Sequence, residues 1–197
     1  MDLDLVSYAK QRNVKYFMIS FTDIFGSQRA KLVPSSAING MQSEGAGFAG
    51  FATYLDLTPA HPDMFAVPDP SSVIQLPWKP DVAWVAADCY IGGKPVGQAP
   101  RNVLARQIRT AKENKLLVKT GVEAEFFLIS KDGENISDSF DIAEKPCYDQ
   151  QALMRRYEVI AQICDYMLDL GWKPYQNDHE DANGQFEMNW EYDGAMQ

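Results

Sequence analysis

The chain has few of the side chains that bind zinc or form disulfide bonds. It contains two histidines, His61 and His179, and three widely separated cysteines, none of which forms a CxxC pair. This scarcity argues against a zinc site built from histidine and cysteine. An odd number of scattered cysteines is typical of reduced thiols, and we therefore expect a cytoplasmic protein.

Long hydrophobic runs and excess positive charge are also missing. No stretch approaches the ~20 apolar residues that a membrane span needs, and the first residues lack the basic and apolar regions of a signal peptide. The formal net charge of −9 argues against nucleic acid and against an anionic membrane as partners. No GxxxxGK[ST] motif occurs, which excludes a P-loop as the mode of ATP binding.

The composition is that of a globular protein. Hydrophobic residues make up 46% and charged residues 23% of the 197 positions, enough for one large domain or two small ones. The patterns predict an α+β fold. Glycines and prolines around 92–100 predict a linker, so we place a domain boundary near Gln98, between residues 1–98 and 99–197.

Most of the first half has strand or helix patterns. The predicted elements are a short helix from Leu3, a hairpin of strands Lys15–Thr22 and Gln28–Val33, a helix from Ser35 or Ser36 to about Ser43, and strands Val73–Leu76 and Val82–Cys89. The glycines of Gly45–Ala52 predict a loop without regular structure. The proline-rich stretch Pro59–Pro80 is predicted to contain only the short strand Val73–Leu76.

The second half contains the clearest helix pattern. The predicted elements are a helix from Arg101 to about Asn114, a strand over Leu117–Ser130 with a break at Gly121, and a helix over Asp149–Leu170. Apolar residues recur along one face of the last helix at helical spacing. Cys164 lies on that face and is predicted to belong to the core.

Two acidic clusters about fifty residues apart are the most informative feature. Glu123 and Glu125 share one face of a predicted strand, because alternate strand residues point the same way. Glu180 precedes a glycine-containing turn, and Glu187 follows it on a second strand face. Such a set of carboxylates suits Mg²⁺ or Mn²⁺, which prefer oxygen ligands. The alternatives are a solvated acidic strand face and an ordinary polar loop.

His179 precedes Glu180 and has three possible roles. A metal ligand, a base and a hydrogen-bonding loop residue all fit its position in the sequence. The residue pattern alone leaves these roles open.

At these motifs the sequence resembles the glutamine synthetase superfamily, and in particular the type III-like branch that also contains γ-glutamylmethylamide synthetases. The matching motifs are, in order, Phe21-Thr22-Asp23, Pro68-Asp69, Pro100-Arg101, Glu123-Ala124-Glu125-Phe126-Phe127-Leu128, His179-Glu180, Gly184-Gln185 and Glu187. The resemblance spans the whole chain. It implies an N-terminal β-grasp-like domain over residues 1–98 and the beginning of a catalytic α/β barrel over 99–197.

The resemblance also implies an enzyme, an ATP-dependent carbon–nitrogen ligase acting on glutamate. Glu125, Glu180 and Glu187 would hold one metal ion, and Glu123 would contribute to a second ion at the ATP phosphates. ATP would phosphorylate the γ-carboxylate to γ-glutamyl phosphate and leave as ADP, and a small amine would then attack the acyl carbon and release phosphate. The family implies a homo-oligomer, with a dodecamer of stacked rings expected, in which the N-terminal domain contributes residues to a neighbouring active site.

The first departure from the family concerns the amine acceptor. The family has an aspartate where this chain has Ala49, and that aspartate attracts ammonium. Alanine removes a charge and leaves space for a methyl group, which implies methylamine as the acceptor. The alternative is that Asp56 or Asp63 replaces the missing carboxylate and that ammonia is used.

The second departure concerns length. The family's remaining metal ligands and its nucleotide-binding residues have no counterpart in these 197 positions. We therefore expect an incomplete catalytic domain and no ligase turnover from this chain by itself. A non-catalytic truncated relative and a simple metal-binding module are the alternative interpretations.

Overall fold

The computed structural model describes residues 3–196, which form two compact units. One unit extends to Val118 and includes the few residues after Gly194, and the other spans Lys119–Gly194. Both units combine helices with runs of mostly antiparallel strands, which confirms the α+β class. The domain boundary near Gln98 remains a prediction. Within the described residues, no helix is long and apolar enough to cross a membrane.

The first unit is built around one mixed sheet. Its elements are α1 Leu5–Arg12, β1 Tyr16–Thr22, β2 Gln28–Pro34, α2 Ile38–Glu44, β3 Ala46–Phe48, β4 Met64–Pro68, β5 Ile74–Gln75, β6 Val82–Ile91, β7 Lys94–Pro95 and α3 Pro100–Glu113. The main strand order is β2-β1-β6-β4-β3, and β5 and β7 also pair with β6. Strands β1 and β6 run parallel, whereas the other pairs are antiparallel.

The core of this unit lies against the alternating residues of β1 and β6. Phe17, Ile19 and Val85 are completely buried there, as are Leu5 of α1 and Ile38 of α2. Burial of a side chain of this size contributes about 1.5–3 kcal/mol. The aromatic and β-branched residues that predicted β1 therefore include those that pack against α1 and α2 in the core.

The second unit has a smaller sheet and a helical layer. Its elements are β8 Lys119–Thr120, β9 Glu123–Phe127, α4 Gln150–Arg155, α5 Tyr157–Asp169, β10 Pro174–His179, β11 Gln185–Trp190 and β12 Asp193–Gly194. The three longer strands follow the order β10-β11-β9, and β12 pairs with β8. Ile160 and Met167 of α5 pack with Phe186 and Met188 of β11. Cys164 packs against the same cluster, as predicted.

Three predictions about regular structure were wrong. The segment Gly45–Ala52 contains β3, because its residues pair with β4. Strand β4 lies within the proline-rich stretch, for which the sequence predicts only β5. Pro68 is compatible with the strand because it occupies the last position of β4, where the ladder with β6 ends. The helix expected over Asp149–Leu170 is interrupted at Arg156, whose φ and ψ of −113° and 10° depart from helical values.

Candidate metal site and acceptor segment

The register of the small sheet places three carboxylates in one row across its strands. Glu187 of β11 lies opposite Glu125 of β9 on one side and opposite Asp178 of β10 on the other. Directly paired residues point to the same face of a sheet. The two acidic clusters of the sequence therefore meet on one face, together with a third carboxylate from β10.

Glu180 joins this row from the turn after β10. Its backbone N–H donates to the carbonyl of Gln185 at 2.9 Å, which closes the turn between β10 and β11. Carboxylate oxygens of Asp178, Glu180 and Glu187 then lie within 4.8 Å of one another. Glu187 is buried, and the other two are half-buried. The structure thus brings Glu180 and Glu187 together, with Asp178 rather than Glu125 as the third member of the close group.

The three carboxylates repel one another as an isolated group. A hydrogen bond with Glu187 is the largest factor that raises the pKa of Glu180, and the charge of Glu187 adds to it. Burial raises the pKa of Asp178, and the charges of Glu180 and Glu123 raise it further. A positive charge placed among these oxygens would relieve the repulsion.

The donor set fits a hard divalent cation. All three side chains supply oxygen, which is the ligand type of Mg²⁺ and Mn²⁺. One oxygen of Asp178, Oδ1, is buried and has no hydrogen-bond partner among the described residues. Buried polar atoms are almost always paired, so an unpaired carboxylate oxygen in this position is consistent with a ligand atom.

Glu125 belongs to the row, opposite Glu187, and Glu123 lies two residues away along β9 on the same face. Glu125 accepts a hydrogen bond from Gln185 Nε2 at 2.6 Å, which holds it beside β11. Glu123 lies opposite Asn189 and borders a cavity of about 570 Å³. The cavity is also lined by Gly121, Val122, Tyr175, Trp190, Glu191 and Tyr192. The charge of Glu123 still reaches Asp178, since it raises the pKa of that residue.

His179 is a buried hydrogen-bonding residue, which was one of the three roles left open by the sequence. It is fully buried at the end of β10, and its Nε2 lies 2.7 Å from Asp141 Oδ2. Its Nδ1 lies 2.8 Å from the carbonyl oxygen of Glu180. Burial opposes ionisation of Asp141, but hydrogen bonds from Asn183, His179 and Gly184 outweigh it and lower the pKa of Asp141.

A second group of possible ligands shares Glu180. The Cys147 sulfur and carboxylate oxygens of Glu180 and Asp181 also lie within 4.8 Å of one another. Burial and hydrogen bonding to Asp181 raise the pKa of the Cys147 thiol. A protonated thiol is a poor ligand for a hard cation, so the all-oxygen group is the better candidate.

Ala49 and Asp63 lie in the first unit. Phe48 of β3 pairs with Met64 of β4 in the last pair of the β3–β4 ladder. Ala49 directly follows Phe48, and Asp63 directly precedes Met64, so both residues lie just beyond that last pair. Both are exposed. Asp56, the other proposed substitute carboxylate, has a left-handed backbone with φ of 54° in the segment between these strands. The structure thus brings Asp63 to the same ladder end as Ala49.

Sequence reasoning missed Asp178 and Asp141. Asp178 lies two positions before Glu180, the spacing of residues that share a strand face, but no strand had been predicted there and Glu180 itself lies in the turn after β10. Asp141 had no local signal, since its bond with His179 joins positions 38 residues apart.

Comparisons with known proteins bear on the family and the fold of this chain. The family model described as "Glutamine synthetase, catalytic domain" matches residues 97–197. A glutamine synthetase of Rhizobium leguminosarum bv. phaseoli is 74% identical over 196 residues, covering 100% of this chain and 45% of the relative. A glutamate–methylamine ligase of Methyloversatilis universalis is 37% identical over 193 residues, covering 96% of this chain and 44% of the relative.

A solved structure described as a GmaS/ADP complex gives the same result for the fold. It superposes with a TM-score of 0.96 at 59% identity, covering 100% of this chain and 45% of that chain. The chain thus spans about half the length of the curated relatives and solved structures that it matches.

Proposed function

The chain belongs to the glutamine synthetase family, and from this membership we propose that the native-length protein is an ATP-dependent ligase that joins an amine to the γ-carboxylate of glutamate. The observation that supports this proposal best is the meeting of Asp178, Glu180 and Glu187 oxygens within 4.8 Å. These residues lie in the segment that matches the family's catalytic domain. Glutamate, ATP and a small amine would be its small-molecule partners.

The chemistry explains why such a site needs concentrated negative charge. A carboxylate is a poor electrophile, so its γ-oxygen must first receive the terminal phosphoryl group of ATP. Mg²⁺ or Mn²⁺, when bound, would neutralise charge on the transferring phosphoryl group. Asp178, Glu180 and Glu187 would hold one cation, with Glu125 beside them in the same row. Glu123 would serve the second, on the side of the cavity.

The cavity beside Glu123 has a lining suited to a nucleotide. Tyr175, Trp190 and Tyr192 supply aromatic surface, and aromatic side chains stack on the flat faces of bases. Glu123, which would hold the second cation, lines this cavity and belongs to the same strand as Glu125. We propose that this cavity adds contacts to ATP, in addition to the family's nucleotide-binding residues, which have no counterpart in this chain.

We propose methylamine as the acceptor, so that the product is γ-glutamylmethylamide. The support is the alanine at position 49, a relative named as a glutamate–methylamine ligase and a close structural neighbour named GmaS. An aspartate at this position would favour a small cation that it can pair with and deprotonate. Alanine lacks that charge and offers apolar contact for a methyl group.

Ammonia is the second candidate acceptor, for two reasons. A relative with 74% identity is named glutamine synthetase. Asp63 also follows the end of the ladder beside Ala49 and could supply the carboxylate from the opposite strand. If ammonia is used, Asp63→Asn should reduce turnover with ammonium more than Asp56→Asn does.

The deciding experiment measures ADP release by the native-length protein with glutamate, ATP and Mg²⁺, using methylamine or ammonium. Methylamine should give the higher kcat/KM. Ala49→Asp should shift the preference towards ammonium, whereas Ala52→Asp, at another exposed alanine nearby, should not. An unchanged preference in Ala49→Asp would refute the role of position 49. If no ADP is released with either amine, the result would favour the non-catalytic interpretation.

Assembly and the activity of the isolated chain remain proposals drawn from the family. We propose that the native-length protein forms a homo-oligomer, with a dodecamer of stacked rings as the expected size. We also propose that these 197 residues alone do not turn over substrate. Light scattering of the native-length protein, and ADP release by the 197-residue chain, test the two proposals separately.

A further inference from the structure

The short loop 180–184 sets the distance between two proposed metal ligands. It begins with Glu180, joins β10 to β11, and ends three residues before Glu187. Three donors in or beside this loop bond to the buried carboxylate of Asp141. These are His179 Nε2 at 2.7 Å, Gly184 N at 2.5 Å and Asn183 Nδ2 at 2.9 Å. A single side chain therefore holds both ends of the loop.

His179 connects Asp141 to the ligand residue itself. The ring lies between Asp141 and the Glu180 carbonyl oxygen, which is 2.8 Å from Nδ1. On its flank the ring packs edge-on against Phe186, with 5.0 Å between centroids. These contacts fix the imidazole, and through it the backbone of Glu180.

Other contacts from residues 138–148 brace the same loop. The N–H of Tyr148 donates to the carbonyl of His179 at 2.8 Å, and Asn183 Nδ2 also donates to the carbonyl of Ala143 at 3.1 Å. Tyr148 achieves its contact with a left-handed φ of 65°, an uncommon conformation for a tyrosine. The segment 138–148 thus surrounds the loop with backbone and side-chain partners.

We propose that Asp141 is a positioning residue for the cation site, acting through His179 and the 180–184 loop. The proposal rests on the function proposed above, since it takes Glu180 and Glu187 as metal ligands. Partners that orient metal ligands commonly change metal affinity by about 10–100-fold when removed. Asp141 is only 3% exposed, and its carboxylate contacts lie at the two ends of the loop.

A neighbouring buried aspartate supplies the matched control. Asp138 is 5% exposed and belongs to the same segment, but it bonds to Arg155 Nε at 2.6 Å and to the Phe140 N–H. Its side-chain partners are Arg155 at the end of α4, Arg156 just after it and the N–H of Phe140 in its own turn, and none of them lies in the 180–184 loop. The Asp138→Asn variant therefore shows the effect of losing a buried, charge-paired aspartate that has no direct contact with the proposed metal ligands.

The experiment compares Asp141→Asn and Asp138→Asn in the native-length protein, with Mn²⁺ as the probe. Free Mn²⁺ measured by electron paramagnetic resonance gives the dissociation constant. We expect Asp141→Asn to weaken Mn²⁺ binding at least about tenfold and Asp138→Asn to leave it within about twofold. The metal concentration for half-maximal turnover should rise in Asp141→Asn, with kcat recovered at saturating metal.

The proposal is overturned if Asp141→Asn binds Mn²⁺ as tightly as the wild type does. It is also overturned if Asp138→Asn loses as much Mn²⁺ affinity as Asp141→Asn. If Asp141→Asn fails to fold, His179→Gln takes its place, and unchanged Mn²⁺ affinity in that variant overturns the proposal. A wild-type protein that binds no Mn²⁺ instead refutes the metal site of the proposed function. The two failures are therefore distinguished by the wild-type measurement.

Discussion

Glu187 and Glu125 face each other across the β11–β9 ladder, and Asp178 stands opposite Glu187 on the other side. Like charges in direct cross-strand pairs are destabilising. Electrostatic repulsion between these carboxylates therefore destabilises the metal-free sheet at the proposed metal site. This relationship predicts opposite effects of one substitution in the absence and the presence of metal.

Glu187→Gln should leave the metal-free protein as stable as the wild type or more stable, because it removes one repelling charge. With Mn²⁺ at about 100 times the dissociation constant, the wild type should gain about 2.7 kcal/mol and the variant much less. Thermal unfolding with and without Mn²⁺ measures both effects. Glu134→Gln, at an exposed loop position, should behave as the wild type. An undiminished Mn²⁺ shift in Glu187→Gln would remove this residue from the ligand set.

Gly184→Ala should destabilise the protein far more than Gly133→Ala does. Both glycines have left-handed backbones, with φ of 76° and 77°, and alanine there costs about 1 kcal/mol. A Cβ on Gly184 would also lie 2.7 Å from Ile136 Cγ2, whereas no described atom lies within 4 Å at Gly133. We expect a total loss of about 3 kcal/mol for Gly184→Ala. Urea unfolding of the two variants measures the difference, and equal losses would contradict the predicted clash.

Asp138 should make stability depend on pH in the acid range. Burial opposes its ionisation, but hydrogen bonds from Arg155 and Phe140 and the arginine charges lower its pKa. A carboxyl whose pKa is lowered by folding stabilises the protein above its unfolded pKa of about 3.9, and this contribution is lost as pH falls through the folded pKa. Asp138→Asn should cost about 2 kcal/mol at pH 7 and flatten the acid dependence. Urea unfolding at pH 7, 4 and 3 tests this, and parallel pH profiles would contradict it.

Thiol labelling should distinguish the cysteines by burial and pKa. Burial and the charge of Asp88 raise the pKa of Cys89 to about 12, and the residue is 1% exposed. The thiolate is the reactive form, so Cys89 should resist iodoacetamide at pH 8 until the protein is unfolded in urea. Cys147 should react more slowly than a free thiol, with a rate that keeps rising above pH 9, because its pKa is also raised. Peptide mass spectrometry gives both rates, and rapid labelling of native Cys89 would contradict the expectation.

Local patterns predicted the elements whose partners are close in sequence. The β1–β2 hairpin follows from aromatic and β-branched residues on either side of a turn, and α5 follows from an apolar helical face, because both signals are local. The helix break at Arg156 could not be predicted. The Arg156 guanidinium donates to the carbonyl of Ser137 and pairs with Asp138, contacts that only the tertiary structure creates.

The same distinction applies to the candidate site. The face shared by Gln185, Glu187 and Asn189 was predictable from strand alternation, and the structure contains that strand as β11. Asp178 was missed because no strand had been predicted at β10, without which its spacing from Glu180 had no meaning. Asp141 required knowledge of a packing contact between distant segments, which a single sequence does not provide.

Strand β6 has a consequence for the order in which the first unit can fold. Its parallel neighbour β1 pairs Tyr16 with Val82, and β4, β5 and β7 also depend on it. During synthesis the β1–β2 hairpin leaves the ribosome well before β6 exists, so the inner edge of β1 remains open. Open strand edges are sites of wrong association, and distant pairings form slowly. We therefore expect the nascent chain to be most prone to association with other chains until β6 emerges and pairs with β1.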